Sequence, residues 1–267
     1  MNRTFESRTN QSSRNVTVAL LRRSISEFQK TTRNIRRIRH LAKWHKLRIL
    51  ARSLLSEKDL VKLKEPWSVH ETHQGLSVRQ YKDYDQYVAH QQAKLKIAEL
   101  SHYDSKFGLA LSERLQNYRF LVGTRVLCLG ARMGTEVRAF LDLGCFAVGI
   151  DVNPGEGNRF VVYGDFHKVQ YPACSVDVIF TNALDHALYV EKVVSEASRI
   201  LVKQGRFIVE AVKGSEEGEQ PGGFESLYWS KVDSLIAIIS ASGFELQNRQ
   251  PFDYPWRGDH LCFVKRD

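Results

Sequence analysis

The residues best suited to chemistry lie in one stretch, Val126-Leu127-Cys128-Leu129-Gly130-Ala131-Arg132-Met133-Gly134-Thr135-Glu136-Val137. An apolar run enters a loop bounded by Gly130 and Gly134, and helical sequence resumes near Thr135. Glycines suit such a loop because the backbone must turn sharply and let a ligand approach with no Cβ in the way. The helix start then offers unpaired N–H groups to polar ligand atoms. A second apolar run closes on Gly149-Ile150-Asp151, with Asp151 21 residues beyond Gly130. A carboxylate there is placed to accept hydrogen bonds from both ribose hydroxyls of an adenosine-containing cofactor. The dinucleotide fingerprint G-x-G-x-x-G needs its middle glycine to admit a pyrophosphate. Arg132 stands in that place, which disfavours NAD and FAD. A tight strand–helix turn with no ligand is the alternative that the glycine pair alone leaves open.

A further candidate is His186, in Asn182-Ala183-Leu184-Asp185-His186. Its ordinary pKa of ~6.5 suits a base at neutral pH. Shaping a pocket or capping the next helix are its competing roles, and Asp185 reads as a helix N-terminal acid. No His, Asp or Glu cluster has ligand spacing, so no metal is expected. The four cysteines, at 128, 145, 174 and 262, form no CxxC pair. Buried free thiols in a reducing compartment are the expectation.

The elements that must position these residues begin after Gly123. Short β-branched runs (RVLCLG, FAVGID, FVVYGD, VDVIFTN, RFIVEAV and HLCFVKR) alternate with helix candidates at 134–143, 189–201 and 228–241. That alternation predicts an α/β fold, a doubly wound and mostly parallel sheet covered on both faces. Residues 77–119 read as helical, with Tyr81, Tyr84, Tyr87 and His90 as packing or pocket-capping candidates. Residues 1–15 are polar and without periodicity, which predicts a disordered start. Residues 16–119 read as a helical extension, basic at first and then mixed in charge.

Charge is unevenly divided. Residues 1–52 hold fourteen Lys/Arg against two acids, while the remainder holds 25 Lys/Arg and 28 Asp/Glu. The net charge of +9 therefore belongs to the extension. There Ile35, Ile38, Leu41, Leu47, Leu50 and Leu54 make an apolar stripe flanked by cations. Four readings stay open for residues 16–52: nucleic-acid binding through phosphates, peripheral contact with an anionic membrane, an organelle transit peptide, or a solvated helix packed on the domain. No apolar stretch approaches the ~18 residues of a membrane span, and residues 1–15 lack the apolar core and small-residue cleavage site of a secretory signal, so none is expected. A cytoplasmic location is the expectation, with membrane association or organelle targeting by the N-terminus left open.

Taken together, VLCLGARMG, Asp151-Val152-Asn153-Pro154, Gly164-Asp165-Phe166 and DVIFTNALDHALYVEKVVSEASRILVKQGRFIVEAV make a sequence of four ordered loops. In this order and spacing the chain resembles the class I S-adenosylmethionine-dependent methyltransferases, in particular their small-molecule, type-11-like branch. The resemblance covers about residues 121–267 and implies a seven-stranded, Rossmann-like methyltransferase domain over 120–267. It implies that Gly130, Ala131 and Gly134 wall the methionine part of S-adenosyl-L-methionine, with Arg132 as a further cofactor-binding candidate in the same loop. Asp151 would hold the ribose with Val152 and Asn153 beside it, Asp165 and Phe166 the adenine, and Asn182 the mouth near the methyl group. Two departures stand out. Cys128 replaces an acid that orients the cofactor's amino end, and Arg132 replaces a glycine. A cation there is unfavourable beside a sulfonium unless it turns to the cofactor carboxylate or a substrate acid.

The Asn/Asp-Pro-Pro-Tyr/Phe run of base N-methyltransferases is missing at Thr181-Asn182-Ala183-Leu184. The resulting expectation is O-methylation of a small molecule or saccharide, with His186 as the base. The alternative is a non-catalytic methyltransferase-like module that binds RNA or a protein partner through the basic extension. The glycine-rich, acidic loop 214–224 reads as a lid or a solvated surface loop.

Overall fold

A computed structural model describes residues 67–69, 75–97 and 101–266. The chain divides into two compact units, Met1–Glu57 and Lys58–Asp267, and every described residue belongs to the second. The disordered start and the basic stripe lie outside the described residues.

The core is a seven-stranded sheet in the order β5-β4-β3-β6-β7-β10-β9. Its strands are β3 (Arg125–Leu129), β4 (Phe146–Asp151), β5 (Val161–Tyr163), β6 (Val176–Thr181), β7 (Leu201–Val212), β9 (Phe244–Phe252) and β10 (Gly258–Lys265). β5 through β7 pair in parallel, and β10 runs antiparallel to both β7 and β9. The central strand β3 shows why. Val126 and Cys128 enter one buried cluster, Leu127 and Leu129 the other, so successive side chains serve opposite faces of a sheet with no wet side.

Helices α2 (Ser101–Leu115) and α3 (Thr135–Asp142) cover the first face through Phe107, Leu111, Val137 and Phe140. Helices α4 (Val190–Ile200) and α5 (Val232–Ala241) cover the second. In α4 the buried Val190, Val193, Val194 and Ala197 recur at three- and four-residue steps, the stripe that makes this segment helical. Helix α1 (Tyr84–Ile97) precedes them. The helices of residues 84–115 thus belong to the same compact unit as the sheet.

A second, three-stranded sheet joins β1 (Trp67–Val69), β2 (Leu76–Arg79) and β8 (Leu227–Trp229). It corrects two sequence expectations. Residues 77–79 are strand rather than helix, and the helix expected from 228 begins at Val232 because residues 227–229 pair with β2. Strand β9 is absent from the runs named above. It is an edge strand exposed over most of its length, so its sequence FELQNRQPF carries no apolar signature. All four cysteines are free, with Cys128, Cys145 and Cys262 buried and Cys174 exposed.

Candidate active site

The loop leaving β3 is shaped by close approach. Gly130 has φ 70°, and a Cβ there would lie 2.6 Å from Ala183 Cβ. Gly134 has φ 75°, and its Cβ would lie 2.7 Å from Phe160 Cβ. Between them Arg132 takes a left-handed φ of 37° without being glycine. Its N–H donates to Asp151 Oδ2 at 3.0 Å, and its carbonyl accepts from Asn158 Nδ2 at 2.8 Å. Asp151 Oδ1 accepts the Asn153 N–H at 2.7 Å. One carboxylate therefore ties the loops after β3 and β4 together at the carboxyl ends of adjacent parallel strands, where open α/β sheets take ligands. Burial pushes the Asp151 carboxyl above its ordinary value, against the pull of those two amides.

These loops border a cleft of about 530 Å³. Of the residues singled out from sequence, Gly130, Arg132, Asp151, Val152, Asn153, Phe166 and His186 line it. Ala131 and Asn182 line a second cavity of about 270 Å³, together with Arg132, Met133 and Glu136. Arg132 is common to both, and Gly134 lines neither. Asp165 stands apart. Its carboxylate accepts from the Tyr84 hydroxyl, the His167 N–H at 2.8 Å and His167 Nδ1 at 2.9 Å. Burial raises its pKa, but those bonds outweigh burial and hold the carboxyl below its ordinary value. Gly164 and Phe166, its neighbours, face the cleft instead.

Helix α1 closes the remaining side with Tyr87, Gln91 and Lys94. The segment 222–226 is no free loop. Arg79 donates to the carbonyls of Gly222 and Glu225, His90 Nε2 bonds the Gly223 carbonyl, and Gln91 donates to that of Phe224. The Phe224 carbonyl also faces His186 Nδ1 at 2.9 Å. A carbonyl only accepts, so Nδ1 carries the proton and Nε2 keeps the lone pair. Lys94 Nζ lies 2.7 Å from Nε2. Burial, together with Lys94, holds the His186 pKa well below its ordinary value. Burial likewise lowers Lys94 to about 8, with Arg132 adding to the effect.

Two carboxylates complete this corner. Asp185 Oδ1 and Glu225 Oε2 are buried and have no hydrogen-bond partner among the described residues. Asp185 is raised to about 7, by burial and then by Glu225. Asp185 sits in a short turn, Leu184–His186, before α4 begins at Val190, so it is not the helix N-terminal acid the sequence indicated. Asp185, His186 and Glu225 bring one ligand atom each within 4.8 Å of one another. The nearest cation to His186 is Lys94, which already engages the lone pair a metal would need.

Residues 127–209 match a known family described as a methyltransferase domain. Those residues of the chain carry a methyltransferase domain. A Burkholderia thailandensis structure, 1,6-didemethyltoxoflavin-N1-methyltransferase with bound 1,6-didemethyltoxoflavin and S-adenosylhomocysteine, superposes with TM-score 0.58 at 15% identity. It covers 74% of this chain and 99% of that one. The [4+2]-cyclase SpnF superposes with TM-score 0.50 at 17% identity, covering 59% of this chain and 80% of the other. At such identities the likeness is one of fold. No curated protein matches the chain.

The residues that line the cleft fit S-adenosylmethionine. Asp151 offers carboxylate oxygens for ribose hydroxyls, Phe166 an apolar surface for adenine, and Gly130 a stretch of backbone that any Cβ would obstruct. Sequence reading missed Lys94, Gln91 and Glu225. Lys94 and Gln91 sit on a helix whose lining face carries no motif, and Glu225 is brought to His186 from 39 positions away only by tertiary folding.

Proposed function

We propose that this methyltransferase acts on a hydroxyl oxygen of a small, hydroxyl-rich molecule, a saccharide or similar polyol, with His186 receiving the proton. The observation that carries the reading is His186 itself. Its Nδ1–H is committed to the Phe224 carbonyl, and its remaining lone pair faces Lys94 across 2.7 Å at the cleft wall. Bound S-adenosylmethionine supplies a methyl carbon already activated by its sulfonium, so the chain must position a nucleophile and accept a proton.

An acceptor hydroxyl inserting between Lys94 and His186 would take a hydrogen bond from Nζ and donate its own proton to Nε2. The lysine cation favours the developing alkoxide, and the depressed pKa keeps His186 unprotonated and able to accept. Asp185 Oδ1 and Glu225 Oε2 are buried acceptors without donors, which suits a ligand bringing several O–H groups, because an unpaired buried acceptor is costly. The base-methylating Asn/Asp-Pro-Pro-Tyr/Phe run is missing at Thr181–Leu184, which supports oxygen over an exocyclic base amine.

The test is a panel of saccharides, polyols and phenols beside their amino counterparts, with S-adenosylmethionine, scored by S-adenosylhomocysteine formation and product NMR. An O-methylated product, and a rate at least about 100-fold lower for His186→Gln with unchanged S-adenosylhomocysteine affinity, is the expected result. Turnover confined to amines, or full activity of His186→Gln, would overturn the reading.

A further inference from the structure

The amino-acid end of the cofactor is a zwitterion, and burying it requires a partner for each charge. Three acids line the two cavities around Arg132: Asp104, Glu136 and Asp151. Asp151 accepts from the amides of Arg132 and Asn153, and its remaining lone pairs are those assigned to the ribose. Asp104 is spent on the Thr135 hydroxyl and on Arg138, at 3.0 Å. Glu136 differs. It is 7% exposed and lines the second cavity; its carboxylate accepts from its own backbone N–H and makes no ion pair among the described residues. Burial pushes it up to about 8, the behaviour of a buried acid waiting for a cation. The Arg132 guanidinium, which borders the same cavity, has no ion-pair partner among the described residues either.

We infer that Glu136 binds the ammonium of the cofactor's amino-acid end, with Arg132 facing its carboxylate, in the cavity that Asn182 closes. This rests on S-adenosylmethionine being the cofactor. The assignment follows from the topology of the loop. With adenosine against Asp151 and Phe166, the rest of the molecule must pass over Gly130, and the second cavity, which shares Arg132 with the first, lies beside that path. The nearby Cys128 is fully buried in β3, and burial drives its thiol pKa well up, so it offers no negative charge. The carboxylate comes instead from the first turn of α3, where Glu136 also feels Arg132 and Asp151.

The test is calorimetric titration of S-adenosylhomocysteine and of its deamino analogue, which keeps the carboxylate and lacks the ammonium, into the full chain and into Glu136→Gln. We expect the variant to lose at least about tenfold in affinity for S-adenosylhomocysteine and to bind the deamino analogue as the parent does, within about twofold. Repeating the parent titration at pH 7 in buffers of different ionisation enthalpy should show a proton released on binding, and the variant should release none. Equal weakening toward both ligands, or no weakening toward either, would overturn the assignment of Glu136 while leaving the cofactor in place. Failure of the parent chain to bind S-adenosylhomocysteine at all would overturn the cofactor assignment and this one with it.

Discussion

Lys94 Nζ stands 2.7 Å from His186 Nε2, joining a helix that precedes the sheet to the turn that follows its fourth parallel strand. The contact depends on a tautomer fixed from the other side by the Phe224 carbonyl. A neutral histidine and a lysine lowered to about 8 share one buried corner with two unpaired carboxylate oxygens. The corner is therefore electrostatically incomplete without a bound molecule, as expected of a site built to receive one.

Replacing Lys94 by Met removes a cation that disfavours the imidazolium, so the His186 pKa should rise toward ~6.5. In the parent chain His186 should stay neutral, with the proton on Nδ1, as pH falls through 6.5; in the variant it should titrate at a higher pH than in the parent. Long-range ¹H–¹⁵N correlation spectra of the imidazole report both the tautomer and the titration. An unchanged titration in Lys94→Met would show that the lysine does not govern this histidine.

Gly130→Ala places a methyl 2.6 Å from Ala183 Cβ on a backbone with φ 70°. Both the left-handed conformation and the overlap oppose it, so a loss of about 1–3 kcal/mol in stability is expected. Cofactor affinity should fall further than stability, because the loop must shift where the ligand lies closest. Denaturant unfolding and S-adenosylhomocysteine titration on the same protein separate the two effects. Parent-like affinity would mean that the backbone at Gly130 is not approached by the ligand.

Glu136 makes the cofactor-free protein's stability depend on pH. Its folded pKa is about 8 against an ordinary 4.5, so the folded state holds a proton that the unfolded chain has released between those values. Its contribution is fully present below the unfolded pKa and is lost as pH rises through the folded one. Glu136→Gln cannot ionise. Its melting temperature relative to the parent should therefore climb between about pH 5 and about pH 8.5. A difference that stays constant across that interval would show that Glu136 is not buried in its neutral form.

The glycine loop and Asp151 were legible in the sequence because their roles are local: a turn, a close approach, a carboxylate at a strand end. The parallel strands were legible because both their faces are apolar, as Val126 through Leu129 show. Strand β9 was not, since an edge strand is held by backbone hydrogen bonds to β10 and leaves its side chains to solvent. Tyr228 and Trp229 read as the start of a helix because they continue into the apolar texture of α5, and only the pairing of 227–229 with β2 makes them strand. Asp165 matched its motif in type and place, yet its oxygens answer to Tyr84 and His167, residues whose approach no local pattern announces. The same holds for Lys94 and Glu225 at the acceptor corner. Spacing reveals what a loop does to its own backbone, and tertiary folding decides which distant side chains complete it.

We propose that Asp151 holds S-adenosylmethionine in the cleft between the loops after β3 and β4. The most direct measurement is calorimetric titration of S-adenosylhomocysteine into the parent chain and into Asp151→Ala, with the fold of each checked by circular dichroism. Saturable, roughly micromolar binding to the parent is expected, with a loss of at least about tenfold in the variant, since both the ribose contact and the tie between the loops are removed. A folded Asp151→Ala protein that binds as tightly as its parent would contradict it.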